Sequence, residues 1–293
     1  MQVEQVRRFN RTVTRRVGAL NDRFLARDRP LGASRLLWEI GSATDTCEVR
    51  ALRARLGLDS GHLSRLLRRL EDDGLIRVEA DPIDRRVRVA RLTASGRRER
   101  ELLDRRSDDF AREMLAPLDP RQRDKLVTAM ATVERLLTAS AVELRPIDPD
   151  HPDAQRCIHA YFAELNRRSE SPYDPTKGVS AAPNELTPPA GHFIVAYLYG
   201  EPVGCGGVKH PPGHPADIKR MWVADAARGL GLGRRLLVEL ETLARGSGAS
   251  AARLETNRML VEAISMYRTA GYEEVPPFND EPFADHWFEK HLA

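Results

Sequence analysis

No apolar run in this chain approaches the ~20 residues that a helical membrane span requires. The opening stretch "MQVEQVRRFN" has none of the apolar character of a signal segment. Cysteine is scarce. Cys47, Cys157 and Cys205 stand far apart, are odd in number and do not fall at metal-ligand spacing, which excludes a disulfide framework and a cysteine metal site. These absences lead to the expectation of a reduced, cytoplasmic, metal-free protein. Proline is missing altogether between Leu31 and Ala80, whereas "PIDPDHPD" and "SPYDPTKGVSAAPNELTPPAG" punctuate the later sequence. What is present is a chain of 293 residues, long enough for two ordinary domains with a core each.

Charge divides the chain the same way. Up to Ser140 there are 30 basic and 22 acidic residues, a net +8, and the remainder holds 16 and 21, a net −5. A basic half joined to an acidic half implies two partners, one of them polyanionic. The expected boundary lies where a helical pattern ends and "VELRPI" begins to alternate like a strand, giving domains 1–140 and 141–293.

In the first half, Val6, Phe9, Val13, Val17, Leu20 and Phe24 recur at helical spacing, predicting one long helix from Gln2 to about Arg27. "ASRLLWEIG" and "EVRALRARLGL" predict two more, stopping at Gly41 and Gly57. In "LDSGHLSRLLRRLEDDGLI" Asp59 fits an N-cap, Leu58 and Leu63 a hydrophobic staple, and Gly74 a left-handed stop. Leu63, Leu66, Leu67 and Leu70 form the apolar stripe of that helix. Its other face carries Ser60, His62, Ser64, Arg65, Arg68 and Arg69, small and polar first, then basic. That order suits a major groove, with polar groups at base edges and arginines at phosphates. "LIRVEADPIDRRVRVARLT" reads as a hairpin with Asp81–Arg86 at its tip, and arginines there can enter a narrow minor groove. Thr93 is placed to cap a further long helix, and "DPRQRDKLVTAMATVERLLTAS" supplies another. The competing reading is a helical dimerisation module whose arginines are simply solvated.

The helix order, "GHLSRLLRRLEDDGLIRV" and above all "DPIDRRVRVARLTASG" resemble the MarR family of winged-helix transcription regulators, over about residues 1–140. The resemblance implies a homodimer joined through terminal helices and bound to pseudo-palindromic double-stranded DNA. It makes Ser60, His62, Ser64 and Arg65 groove readers and Arg85 and Arg86 wing contacts, while Arg68 belongs to the basic face expected at phosphates. Asp84 matches a wing aspartate expected to orient a nearby arginine.

The second half reads as strand "VELRPI", a helix from Asp153 to about Arg168, a Pro-rich loop, then strands "GHFIVAYLYG", "PVGCGGVKH" and "IKRMWV". A glycine segment feeds a helix bearing Leu232, Leu236, Leu240 and Leu243, followed by strand "AARLETN", helix "EAISMYRTAG" and closing strands. Antiparallel strands followed by crossovers predict a mixed α/β sheet. In "VADAARGLGLGRRLLVEL" a strand ends in glycines that open a helix, which gathers unpaired N–H groups and the positive helix end at one point. That is a phosphate cradle. The string lacks the Gly-Lys-Ser/Thr of a Walker loop, and Gly229, Gly231 and Gly233 alternate, unlike the dinucleotide fingerprint.

Arg228-Gly229-Leu230-Gly231-Leu232-Gly233 instead resembles the acetyl-CoA pyrophosphate loop of the GNAT superfamily of N-acyltransferases, supported by "LETN" and "AISMYRTAGYEEV" across about residues 142–293. The implied fold is α+β with two domains, a mainly α winged helix-turn-helix followed by a mixed α/β GNAT fold. By this resemblance, main-chain N–H groups from Arg228 through Gly229, Leu230, Gly231, Leu232 and Gly233 to Arg234 bind the pyrophosphate. Met221, Trp222 and Val223 hold the pantetheine arm, with the Val223 N–H near the thioester oxygen. Tyr267 stands where the family's general acid lies, a role that suits a phenol, protonated below its usual pKa of about 10. Asp217 stands near the family's usual general base but is shorter than the common Glu, and Glu262 occupies a position often held by Asn.

Other features point less far. His210 and His214 have i, i+4 spacing, yet "HPPGHP" cannot be a regular helix, and a solvated loop is expected in place of a metal pair. Phe283 and Trp287 are expected in core or pocket wall. The acceptor pocket is expected from Ser169–Pro189 and Pro276–Trp287, whose acidic residues suggest a cationic acceptor. Together these make a DNA-binding regulator joined to an acetyl-CoA-dependent N-acetyltransferase that acts on a primary amine by direct attack. The alternative is a regulator whose second domain only senses acetyl-CoA or an amine ligand.

Overall fold

The computed structural model describes residues 1–18, 29–42, 47–168, 178 and 181–292. They form two compact units, Met1–Thr128 and Ala129–Ala293. The division falls inside a helix whose end, at Ser140, is the boundary expected from the sequence. Among the described residues no helix is long and apolar enough to cross a membrane.

The first unit begins with α1 (Gln2–Arg16), which ends well before the Arg27 anticipated from its periodicity, with Val17 at its C-cap and Gly18 at φ 65°. Leu20 and Phe24 lie outside the described residues. None of α1 is buried, and Val6, Phe9 and Val13 are exposed. Next come α2 (Leu31–Ser42), the two-residue strand β1 (Cys47–Glu48), α3 (Val49–Leu56) and α4 (Ser60–Asp72). The Asp59 carboxylate accepts the His62 N–H at 2.8 Å, the expected cap, and this bond pulls its pKa below the usual range. Leu63, Leu67 and Leu70 of α4 pack with Leu36, Leu37 and Leu52 into one core, so the opposite face of α4 is left to solvent. Strands β2 (Ile76–Ala80) and β3 (Arg88–Leu92) form the anticipated antiparallel hairpin, and β1 adds to its free side in the order β1-β3-β2. Thr93 caps α5 (Ala94–Leu115) by accepting the Gly96 N–H, and α6 (Pro120–Ser140) follows.

The second unit holds a seven-stranded sheet. Its strands are β4 (Val142–Pro146), β5 (Gly191–Leu198), β6 (Glu201–Lys209), β7 (Ala216–Val223), β8 (Ala251–Thr256), β9 (Glu273–Val275) and β10 (His286–His291), in the order β4-β5-β6-β7-β8-β10-β9. The helices are α7 (Pro152–Arg168), α8 (Leu232–Gly246) and α9 (Val261–Thr269). Side chains alternate along β5 and so serve two cores. Ile194 and Ala196 join the α8 side with Leu236 and Leu240, while Phe193, Val195 and Tyr197 join the α7 side with Cys157 and Ile158. Removing one of these large side chains would cost about 2–5 kcal/mol. The sheet is antiparallel until β7, which pairs in parallel with β8 only at Ala216↔Ala252 and Asp217↔Arg253. Past Asp217 the two strands part, because β8 continues along β10 while β7 is turned at a bulge opposite Cys205–Gly207. This parting leaves the β8-facing edge of β7 without a strand partner.

Candidate functional site

The cradle anticipated from the glycines is formed where β7 ends. A 3-10 turn, Asp225–Ala227, leads into the loop, and Gly231 is the N-cap of α8. Gly229 and Gly231 have φ of 76° and 73°, a backbone only glycine adopts without strain, and a Cβ there would meet open space. Gly233 is constrained differently: a Cβ there would sit 3.0 Å from the Met266 sulfur, which would have to shift. Among the described residues, no main-chain bond is donated by the N–H groups of residues 229–234. Arg228 departs from the expectation, because its N–H is spent on the Asp225 carbonyl at 3.2 Å in closing the 3-10 turn. Leu230 packs its side chain against the α8 core, which leaves its N–H as the only group it can offer a ligand.

A cavity of about 420 Å³ opens in front of this loop, within the range that holds a cofactor-sized ligand. Met221, Trp222 and Val223 line it, together with the loop from Arg228 to Gly229 and from Gly231 to Arg234. Arg234 is exposed and has no carboxylate partner among the described residues. The helix end, the free N–H groups and this guanidinium suit a diphosphate, and the unpartnered edge of β7 suits an extended arm.

A residue that no motif announced organises this cavity. Glu164 of α7, buried, receives both bonds from Arg228 Nη2 at 2.6 Å, the Trp222 indole N–H at 3.0 Å and Arg168 Nε at 3.0 Å. Arg228 therefore ties the loop to α7 with its side chain. Arg168 also reaches Glu262, 2.9 Å away, and Glu262 is acidified by its own N–H and by that guanidinium. The position where Asn is common is thus occupied by half of an ion pair. Only the i, i+4 spacing of Glu164 and Arg168 hints at this in the sequence.

A second cavity, about 110 Å³, adjoins the first. Ala181, Glu281, Phe283 and Ala284 line it, so both segments expected to form the acceptor pocket contribute; residues 169–177, 179 and 180 lie outside the described residues. Trp287 instead donates its indole N–H to Asn279 Oδ1 at 2.9 Å. Tyr267, almost fully buried on α9, lines both cavities. Burial, and then the charge of Glu255, push its phenol pKa well up, so it keeps its proton. Asp217 lines neither cavity: its carboxylate is held by Arg253 Nε at 2.5 Å. Glu255 does line the second cavity and is ion-paired with the buried Lys219.

Residues 158–272 match the model of the Acetyltransferase (GNAT) family, and residues 28–87 match that of the MarR family. An N-alpha-acetyltransferase, RimI, of Mycobacterium tuberculosis is 33% identical over 42% of this chain and 74% of its own length. The chain belongs to the GNAT family. A second relative, an IAA acetyltransferase of Azospirillum brasilense, is 40% identical over 32% of the chain, which spans 61% of that protein. On the other half, an uncharacterized HTH-type transcriptional regulator of Bacillus subtilis, YdgJ, is 31% identical over 27% of the chain and 49% of its own length. The GNAT match covers α9 and the glycine loop, and the regulator match covers α4, β2 and the hairpin tip and ends before β3.

Within the MarR-like region, Ser60, His62, Ser64, Arg65 and Arg68 are all exposed on one side of α4, and Arg85 and Arg86 are exposed at the hairpin tip. None of these arginines forms an ion pair among the described residues. The hairpin tip is shaped by carboxylates: Asp81 Oδ1 accepts the N–H groups of Ile83 and Asp84. Asp84 differs from its expected role, since its carboxylate accepts the main-chain N–H of Arg86 at 3.0 Å and touches no guanidinium. His210 differs as well. It is partly buried at the end of β6, with its Nε2 3.0 Å from His192 Nδ1, while His214 belongs to the following turn.

Proposed function

We propose that the chain is an acetyl-CoA-dependent N-acetyltransferase acting on a primary amine, joined to a homodimeric module that binds double-stranded DNA. The observation that carries the enzymatic reading is the place of Tyr267, at the wall common to the two cavities. The donor supplies an acetyl group activated as a thioester. The N–H groups of 229–234 hold its diphosphate, Arg234 adds charge, and the open edge of β7 at Met221–Val223 aligns the arm. The acceptor nitrogen forms the new C–N bond as the C–S bond breaks. Tyr267 Oη gives its proton to the departing sulfur, and the nitrogen loses one proton to a base. Glu255 is the carboxylate placed for that last role, because it lines the acceptor cavity and its charge is felt at Tyr267. Asp217 is also ion-paired but lines neither cavity, and is the weaker choice. Among the described residues that line the two cavities none is an activated side-chain nucleophile, which favours direct attack.

The DNA-binding reading is supported by the exposed, unpaired arginines of α4 and the hairpin tip. Dimerisation is supported by exposed apolar stripes, Val6, Phe9 and Val13 on α1 and Met130, Leu136 and Leu137 on α6. A dimer also matches the two half-sites of a palindrome.

The test combines two measurements. Mass spectrometry of the chain with acetyl-CoA and a panel of primary amines is expected to show N-acetyl product, with kcat about 10²-fold lower in Tyr267→Phe and an unchanged Kd for acetyl-CoA. Binding without product from any amine would leave a regulator that senses acetyl-CoA or an amine. Operator binding followed against salt is expected to be sequence-specific and lost in a Phe9→Glu monomer. Sequence-blind binding would reduce the basic half to a dimerisation module.

A further inference from the structure

The acceptor cavity is lined by a positive charge that no carboxylate among the described residues neutralises. Three cations line it: Arg168, Lys219 and Arg220. Arg168 is paired with Glu164 and Glu262, and Lys219 with Glu255. Arg220 has no carboxylate partner among the described residues, yet it is partly buried. Its guanidinium lies 4.6 Å above the Phe162 ring, and Nη2 donates to the Ala181 carbonyl at 3.2 Å. Among the described residues, the buried Nε donates to nothing and no hydrogen bond leaves Nη1.

The main chain is unusual at the same residue. Arg220 has φ of +55°, one of two described non-glycine residues in that region, and lies in the bulge of β7 opposite Gly206. A side chain without glycine's freedom is strained there, and such strain concentrates at ligand sites. The bulge re-aims the strand, and the ring and the Ala181 carbonyl then fix the plane of the guanidinium. A planar guanidinium so fixed, with donors to spare, takes a carboxylate two N–H groups at a time. Half-buried charge is unfavourable without an opposite charge beside it, so an anion is the missing partner. The acidic residues of the segment Pro276–Trp287 suggested a cationic acceptor; Arg220 adds the other end of the molecule.

We propose that the acceptor is a small aminocarboxylate, with Arg220 binding its carboxylate and its amine directed to the wall at Tyr267. The proposal rests on the acetyltransferase reading above and names the substrate class of that site. The chemistry is unchanged: the amine nitrogen gains the acetyl carbon, sulfur leaves with a proton, and the carboxylate is a handle that does not react.

The experiment uses the full chain with acetyl-CoA and a panel of free α-amino acids, β-alanine and γ-aminobutyrate. Each is compared with its own carboxamide and with the amine lacking the carboxyl group. The best acceptor is expected to be an aminocarboxylate, with kcat/KM at least about tenfold above its carboxamide. Arg220→Gln is expected to collapse that ratio by raising KM for the acid while the Kd for acetyl-CoA stays within about twofold. Arg220→Lys, which keeps the charge without the fork, is expected to fall between the two. A preference for carboxamides or plain amines, or an acid-to-amide ratio that survives in Arg220→Gln, overturns the proposal. If no acceptor is turned over, calorimetric titration of the same compounds into the CoA-loaded chain decides. Binding of an acid but not its amide, abolished in Arg220→Gln, upholds the carboxylate subsite while the transferase reading falls. Equal binding of acid and amide, or none, overturns the proposal outright.

Discussion

Glu164 collects three donors on one buried carboxylate, and all three come from segments that shape the donor cavity. A charged acceptor in such a place is worth more than a neutral one, roughly 1.5–3 kcal/mol for a hydrogen bond to an ionised group. Glu164→Gln keeps the shape and removes the charge. It is expected to loosen the Arg228 tether, raising the Kd for acetyl-CoA about tenfold and lowering the melting temperature, read by calorimetry and scanning fluorimetry. The nearby Glu262→Gln, whose side chain is 77% exposed, is expected to change stability by no more than about 0.5 kcal/mol. A variant pair with equal effects would show that Glu164 is an ordinary surface charge. Beyond its i, i+4 spacing to Arg168, no sequence pattern pointed to Glu164, because its partners Trp222 and Arg228 are brought to it only when α7 packs on the sheet. Tyr267 was legible from its neighbours in "MYRTAGY", but its burial and the nearby Glu255 charge were not. Asp217 was misleading for the same reason: its partner Arg253 lies on a neighbouring strand, invisible to local spacing.

Among the elements, the glycine loop was the most legible, since its spacing alone excluded two other phosphate loops. Its geometry separates the glycines into two kinds. Gly229 and Gly231 are required by a left-handed backbone, whereas Gly233 is crowded by Met266, which would have to give way to a Cβ. Gly231→Ala is therefore expected to cost about 1 kcal/mol through backbone strain, with a matching loss of acetyl-CoA affinity that no second-site change restores. Gly233→Ala presses on a flexible thioether, so its loss should be recovered by Met266→Ala. Titration calorimetry of the single and double variants separates these outcomes, and rescue of Gly231→Ala by Met266→Ala would contradict the distinction. The wing was also legible as a hairpin, down to the Thr93 cap. Strand β1 was not, because two residues carry no period, and the purpose of Asp84 was misread because it serves the main chain of the turn. The pairing of His192 with His210 joins residues on adjacent strands, which the i, i+4 spacing of His210 and His214 obscured.

For the whole molecule, the opposite charges of the two halves already implied two partners, and the motif strings resembled a family for each. What stayed hidden was every feature that depends on strands meeting: the second cavity, the isolated charge of Arg220, and the parting of β7 from β8. That parting has an energetic consequence. Two residue pairs are all that join the first four strands to the last three, so the sheet holds a wedge of missing main-chain partners. A donor arm lying in the wedge would act as structural material as well as reactant. By mass action it adds about 2.7 kcal/mol to the folded state at one hundred times its Kd. Calorimetry of the chain is expected to show melting rising with each increment of CoA, and a melting temperature indifferent to CoA would remove the donor from the wedge. Supply of the donor then governs how long each copy of the protein survives unfolding and proteolysis, as well as how fast it works.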